Sequence, residues 1–312
     1  MKFFLIISIF HIFIFYISTL AQAIDSKHVD IWSDGTRMSG DIHYPNNYNE
    51  DKKLPAILMT QGWGGIRADL NKYFVPIFVE AGFIVLTFDY RGWEDSDSRL
   101  VIIGKQPSLD KNNETVVNVK AIRELIDPID QTRDIISALD FLYGEPGVDK
   151  SKIGIWGTSY SGGHVIYVAG NDSRVSAIYS QVSFQGIGLS NNQKLSRKRA
   201  IQKARGLIEP IPTGIDKIPN LKGSPDFAKM LNYRPIDWAK NISVPTLIVD
   251  VDSEELFDRK KNGLAAYEII KNNTIAKYKL YPGTHYDIYY KHFHSSTQIA
   301  LEWFTQHLIN KN

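Results

Sequence analysis

Cysteine is missing altogether from the 312 residues, which excludes a disulfide framework, a thiolate metal site and a cysteine nucleophile. A dominant charge is missing too. Lys and Arg number 36 against 34 Asp and Glu, and a net +2 gives no electrostatic ground for nucleic-acid binding or for an acidic tail. There is no internal repeat and no low-complexity tract, and beyond residue 23 no apolar run is long enough to span a bilayer. What is present is 43% hydrophobic residues in a chain long enough to bury a sizeable core, so a folded globular protein is expected, as one large domain or two small ones.

The first residues carry a targeting pattern. A single Lys2 precedes an apolar stretch from Phe3 to Leu20, and Ala21-Gln22-Ala23 supplies the small-x-small site that signal peptidases accept. Residues 1–23 read as a cleaved secretory signal, which puts residues 24–312 in the periplasm or outside the cell without stable membrane insertion. An uncleaved N-terminal anchor is the competing reading, weakened by Ser8, His11, Ser18 and Thr19 within the run.

Short apolar runs then recur: PAILMT, FIVLTFDY, KIGIW, VSAIYSQV, PTLIVDV and AKYKLY, after a first strand-like DIHYP. Runs of this length without alternation suit parallel strands buried on both faces. Helical patterns fall between them. In DPIDQTRDIISALDFLYG, Pro128 suits a first turn and Gly144 a C-terminal stop. Alternation of this kind predicts an α/β fold with a doubly wound, mostly parallel sheet, residues 24–312 forming one such domain.

IGIWGTSYSGGH at 153–164 is where chemistry is expected. A strand that turns sharply into a helix can hold a serine in a strained conformation at the apex, provided the residues two before and two after are small. The strand IGIW ends just before Gly157, so Ser159 sits at the apex, with Gly157 before and Ser161 after it. Ser161 falls in the first helical turn. A glycine-rich turn without chemistry is the plainer reading of this motif alone.

Around it the sequence resembles the α/β-hydrolase family, in which a Ser, an acid and a His follow in that chain order. TQGWGG at 60–65 is similar to the family's oxyanion loop, with Gln61 where a His is common. TFDYRGWEDSDS at 87–98 is similar to its Asp-x-Arg-Gly turn, and GVDKSKIGIWGTSYSGGHV to its approach to the nucleophile. WSDGTRMSGDIHYP, with an aromatic residue after the serine, looks most like the branch of Xaa-Pro dipeptidyl-peptidase-like and dienelactone-hydrolase-like proteins.

The resemblance implies roles for particular residues. His285, in YPGTHYD after a short strand, takes the position of the base. Among Asp250, Asp252, Glu254, Glu255 and Asp258, Glu254 fits the acid best, the others being read mostly as solvated loop charges. The backbone N–H groups of Trp63 and Tyr160 are the expected oxyanion donors. No metal or organic cofactor is required. His292 and His294 read as ordinary residues of an amphipathic terminal helix, and His164 as a packed helix histidine.

The expected activity is hydrolysis of a small-molecule carboxylic ester through a Ser159–Glu254–His285 triad and an acyl-enzyme. A serine peptidase of the Xaa-Pro dipeptidyl-peptidase type acting on short peptides, or a non-catalytic binding protein on the same fold, are the alternatives. An insertion at about 186–240 is expected to form a helical cap over the site. Its basic stretch KLSRKRAIQKARG is either a solvated face or a surface overlooking the entrance that attracts anionic substrates.

Overall fold

A computed structural model describes residues 24–46, 48–187, 190–211 and 213–310. The expected signal at 1–23 lies outside the described residues. Its sheet has eight strands: β1 (Asp25–Ser33), β2 (Thr36–Tyr44), β3 (Leu54–Thr60), β4 (Ile84–Phe88), β5 (Val148–Thr158), β6 (Ala177–Gln181), β7 (Thr246–Val251) and β8 (Ala276–Tyr281). They lie in the order β1-β2-β4-β3-β5-β6-β7-β8, with β4, β3 and β5 to β8 mutually parallel and only the first two strands antiparallel to their neighbours. This is the doubly wound arrangement the resemblance implies.

The antiparallel start is an element the apolar runs did not reveal. β1 is exposed at every other position along its second half and so lacks a continuous apolar run. Its signal was the dipeptide Asp34-Gly35, whose φ values of 48° and 80° make the tight turn that matches the twist of two paired strands.

Side-chain alternation in the parallel strands builds the core in two layers. Ile57, Met59, Val85, Trp156, Leu247 and Val249 face one side, against α1 (Arg67–Tyr73), α2 (Val75–Glu80) and the terminal α8 (Phe293–Phe304). Ala56, Leu58, Leu86, Ile155 and Ile248 face the other, against α3 (Pro128–Gly144), α4 (Tyr160–Ala169) and α7 (Gly263–Ile270). α3 has the bounds its sequence predicts: the Asp127 carboxylate accepts from the N–H groups of Ile129 and Asp130, and Pro128 occupies the first turn, where no N–H is needed.

Between β6 and β7 the chain makes α5 (Ser190–Ala204), the short α6 (Phe227–Met230) and a 3-10 helix at Pro235–Asn241. The described residues between 205 and 223 are not helical, a departure from a wholly helical cap. Pro210 and Pro219 remove backbone donors there, and Gly206, Gly214 and Gly223 take φ values of 65°, 79° and 89° that a helix cannot contain. Among the described residues no helix is long and apolar enough to cross a membrane.

Candidate active site

The candidate residues meet at the carboxyl ends of the parallel strands, where α/β sheets present their sites. β5 delivers Ser159 between its last residue and the first turn of α4, at φ 56° and ψ −120°. Such a conformation costs a β-substituted residue ~1–3 kcal/mol and must be held by its surroundings. The Ser159 N–H donates to the Gln181 carbonyl at 2.9 Å, and its own carbonyl accepts from Gly162 at 3.0 Å and Phe184 at 3.2 Å. The small positions are required by contact: a Cβ on Gly157 would lie 2.5 Å from the Ser161 carbonyl oxygen.

Ser161 is fully buried and its hydroxyl turns away from the cavity to hydrogen-bond Thr60. Ser159 is the serine that reaches the candidate histidine: its Oγ lies 3.0 Å from His285 Nε2. On the far side of the imidazole, Nδ1 is 2.7 Å from Glu254 Oε2, both side chains being 2% exposed. With Nδ1–H donating to the carboxylate, Nε2 carries the lone pair and faces the serine hydroxyl, the tautomer a base needs.

The loops after β7 and β8 are stitched into one unit. Ser253 N–H donates to the Gly283 carbonyl at 3.0 Å, and Gly283 N–H donates to Asp252 Oδ1 at 2.9 Å. Glu255, read as a solvated charge, is exposed and also accepts the His285 backbone N–H at 2.7 Å. Two adjacent carboxylates thus hold one histidine, Glu254 by its ring and Glu255 by its backbone. Asp250 departs from the solvated reading. It is 1% exposed at the end of β7, accepts from the Tyr278 hydroxyl at 2.8 Å, and burial pushes its carboxyl up to about 7.

Trp63 and Tyr160 pack against each other, their rings 5.3 Å apart and nearly edge-to-face. The loop carrying Trp63 abuts the elbow closely, since a Cβ on Gly62 would be 2.8 Å from both Ser159 Cβ and the Thr158 carbonyl oxygen. Gln61 secures it from beneath by donating its amide to the Phe88 carbonyl at 2.9 Å. The Asp-x-Arg-Gly turn braces the neighbourhood: Asp89 pairs with Arg67 at the start of α1, and Arg91 Nε donates to Asp134 of α3 at 2.7 Å.

Ser159 and His285 line a cavity of about 920 Å³. Trp63, Ile66, Leu70 and Phe74 form one wall, Tyr286, Tyr289, Tyr290 and Phe293 another. The insertion contributes Ile218, Leu221, Phe227 and Met230 to the lining. Among the described residues, none that lines the cavity comes from α5. Of its basic side chains, Arg199 pairs with Asp216 at 2.7 Å and Lys203 with Asp226 at 2.6 Å, which gives these two a structural task.

His294 lines the cavity, while His292 donates to the Pro282 carbonyl at 2.6 Å. His164 is packed between Tyr233 and Gln131, with burial pulling its imidazole down to about 3. Among the described residues no group of three or more His, Asp or Glu is arranged to hold a metal.

Comparison with known proteins places this geometry. The family profile of X-Pro dipeptidyl-peptidases (S15 family) matches residues 34–207. An uncharacterised 31.7 kDa protein from the traX-finO intergenic region of Escherichia coli is 28% identical over 287 residues, 82% of this chain and 92% of that protein. The quorum-quenching protein AidA of Acinetobacter baumannii is 34% identical over 130 residues, 42% of this chain and 36% of AidA. The crystal structure of the α/β hydrolase GrgF from Penicillium sp. sh18 superposes with a TM-score of 0.69 at 18% identity, covering 91% of this chain and 99% of that one, a likeness of fold.

Proposed function

The chain belongs to the X-Pro dipeptidyl-peptidase (S15) family and has the α/β-hydrolase fold, and from that premise we propose that it is a serine hydrolase cleaving carboxylic esters of bulky apolar acids. The observation that carries the reading is the unbroken hydrogen-bonded line Ser159–His285–Glu254 opening into a large, mostly aromatic and aliphatic cavity. His285 takes the Ser159 proton as Oγ attacks the acyl carbonyl, and Glu254 stabilises the imidazolium that forms. Charge developing on the carbonyl oxygen is met by the N–H groups of Trp63 and Tyr160. The protonated imidazole gives its proton to the leaving alcohol, and water then releases the acid.

The cavity's chemistry supports apolar esters. A dipeptide substrate carries a free ammonium that needs a desolvated carboxylate to hold it. Among the described residues that line the cavity, Asp69 is the one Asp or Glu, and it is exposed. Hydrolysis of X-Pro peptides is the second reading, favoured by the S15 family match.

The test is to label the protein with a fluorophosphonate and locate the adduct, then compare nitrophenyl esters of increasing acyl length with X-Pro anilides. Labelling at Ser159 that Ser159→Ala abolishes and Ser161→Ala retains, with turnover rising with acyl size, is the expected result. Faster cleavage of the anilides would replace the ester reading by the peptidase one. Export is proposed as well, on the Lys2, apolar and Ala21-Gln22-Ala23 pattern; a secreted product beginning at Ile24 is expected, and retention of residues 1–23 on the membrane would refute it.

A further inference from the structure

The apolar side chains around Ser159 and His285 come from both layers of the core. Leu70, Phe74, Tyr289 and Phe293 line the cavity and pack into the layer that holds α1, α2 and α8. Tyr160, Phe184, Met230 and Phe257 line the same cavity and pack into the opposite layer, with α3, α4 and α7. A sheet separates the two layers, so residues of both share one space only where the strands end, at the loops that carry Ser159 and His285. The imidazole marks the boundary. Its centroid lies 5.8 Å from the Phe257 ring and 6.2 Å from the Tyr289 ring, one from each layer.

Each set of side chains is continuous. On one side the Phe74 and Phe293 rings meet at 5.1 Å and join α1 to the start of α8. On the other, Tyr160 stacks on Phe184 at 5.8 Å, and Phe184 meets Phe257 edge-on at 5.6 Å. The space they share measures about 920 Å³, near the top of the ~300–1,000 Å³ that small-molecule pockets span. A carbonyl carbon bonded to Ser159 Oγ carries two groups besides its oxygen, the acyl chain and the alkoxy group. An ester of a small alcohol fills one lobe and leaves the apolar walls of the other against water.

We propose that the site takes esters with extended apolar groups on both sides of the scissile bond, the acyl chain in one lobe and the alcohol in the other. The proposal rests on the serine-hydrolase reading and adds the alcohol, which that reading leaves open. The two lobes act at different stages. In the first, Oγ bonds to the acyl carbon and its proton passes to His285; the bond from that carbon to the alkoxy oxygen breaks, the electron pair goes to the oxygen, and His285 gives it the proton. The alcohol then leaves its lobe. In the second, water bonds to the acyl carbon and gives a proton to His285, and Oγ departs with its electron pair and takes that proton back. Only the acyl lobe is occupied at that point, so it bears on both stages and the alcohol lobe on the first.

Linear alcohols longer than ethanol differ little as leaving groups, so alcohol length reports binding rather than reactivity. The test is a grid of esters, acetyl to hexanoyl on the acid side and ethyl to hexyl on the alcohol side, followed by acid release. In wild type kcat/KM should rise along both axes, by up to about 4-fold per buried CH2. Leu70→Trp fills one lobe and Met230→Trp the other, and each should flatten a different axis. The variant that flattens the acyl axis should also slow hydrolysis of a hexanoyl-enzyme. Phe293→Trp stands in for Leu70→Trp if that protein does not fold, and the wild-type grid needs no variant. A rise with acyl length alone, or two variants that flatten the same axis, overturns the two-lobed site. Failure to cleave any ester of the grid, with no fluorophosphonate adduct at Ser159, instead refutes the serine-hydrolase reading.

Discussion

Replacing Glu254 by Gln changes no volume but removes one acceptor, and the surroundings set the size of the loss. As a carboxylate, Glu254 serves two donors at once, the Leu256 N–H at Oε1 (3.0 Å) and the His285 ring at Oε2 (2.7 Å). An amide has one oxygen. If that oxygen stays with Leu256, the NH2 group faces Nδ1 and selects the tautomer with its proton on Nε2, which cannot accept from Ser159. If it turns to the imidazole, the Leu256 N–H loses its acceptor and the imidazolium loses its counter-charge. The second outcome forfeits a charge-assisted bond in a site where both partners are 2% exposed, about 1.5–3 kcal/mol. The first resembles triads whose acid is neutralised with geometry intact, where the loss is about 10,000-fold. Turnover should therefore fall between about 10- and 10,000-fold. Glu255 answers a single donor, the His285 backbone N–H, which an amide oxygen can still satisfy, so Glu255→Gln should cost less than about 10-fold. Steady-state ester hydrolysis, with thermal unfolding as a check on the fold, measures both. A folded Glu254→Gln protein within 10-fold of wild type, or a larger loss in Glu255→Gln, would refute the assignment of the two carboxylates.

Gly62→Ala should lower kcat by about 100-fold, corresponding to ~3 kcal/mol for one lost oxyanion donor, because the new Cβ meets Ser159 Cβ and a backbone oxygen at 2.8 Å and the Trp63 loop must retreat. Near-wild-type turnover would remove that loop from the reaction. Asp250 supplies a pH prediction for stability. Burial raises its carboxyl from 3.8 to about 7, so the folded state prefers it neutral: the associated stability is complete below about pH 4 and is lost as pH rises toward 7. Urea unfolding of wild type against Asp250→Asn across pH 4 to 8 should show wild type losing ground by up to about 4 kcal/mol and then levelling; parallel curves would show that Asp250 titrates normally.

Where the signal was local, the sequence sufficed. Five apolar runs identified parallel strands covered on both faces, which have no reason to alternate, whereas AKYKLY, interrupted by Lys277 and Lys279, became the half-exposed edge strand β8. Gly157, Ser159 and Ser161 could be ordered because the end of IGIW fixes the apex, and the backbone at Ser159 takes the strained conformation expected there. Glu254 and His285 were reachable through chain order within a familiar arrangement. β1 escaped because an edge strand is exposed on alternate residues, although Asp34-Gly35 marked its turn.

Other features were decided only by residues distant in sequence. Asp250 and Asp252 look alike as letters, yet one ends a central strand under Tyr278 and the other lies in the open loop, so burial separates them. Glu255 acquires its function from a backbone N–H thirty residues away, which no local pattern encodes. Tyr289 and Thr158 are 131 positions apart, and only the turn after β8 brings their hydroxyls to 2.5 Å. The cavity is likewise a tertiary product: Leu70, Phe227 and Phe293 belong to three separate segments, and their shared apolar space exists only once the sheet has set those segments around Ser159. By itself the sequence determined the strand-helix alternation and the serine at the elbow, because these depend on residues within one or two turns of chain. The tertiary structure decided which carboxylate is buried, which imidazole reaches Ser159 and what surrounds it, because those depend on distances that only packing defines.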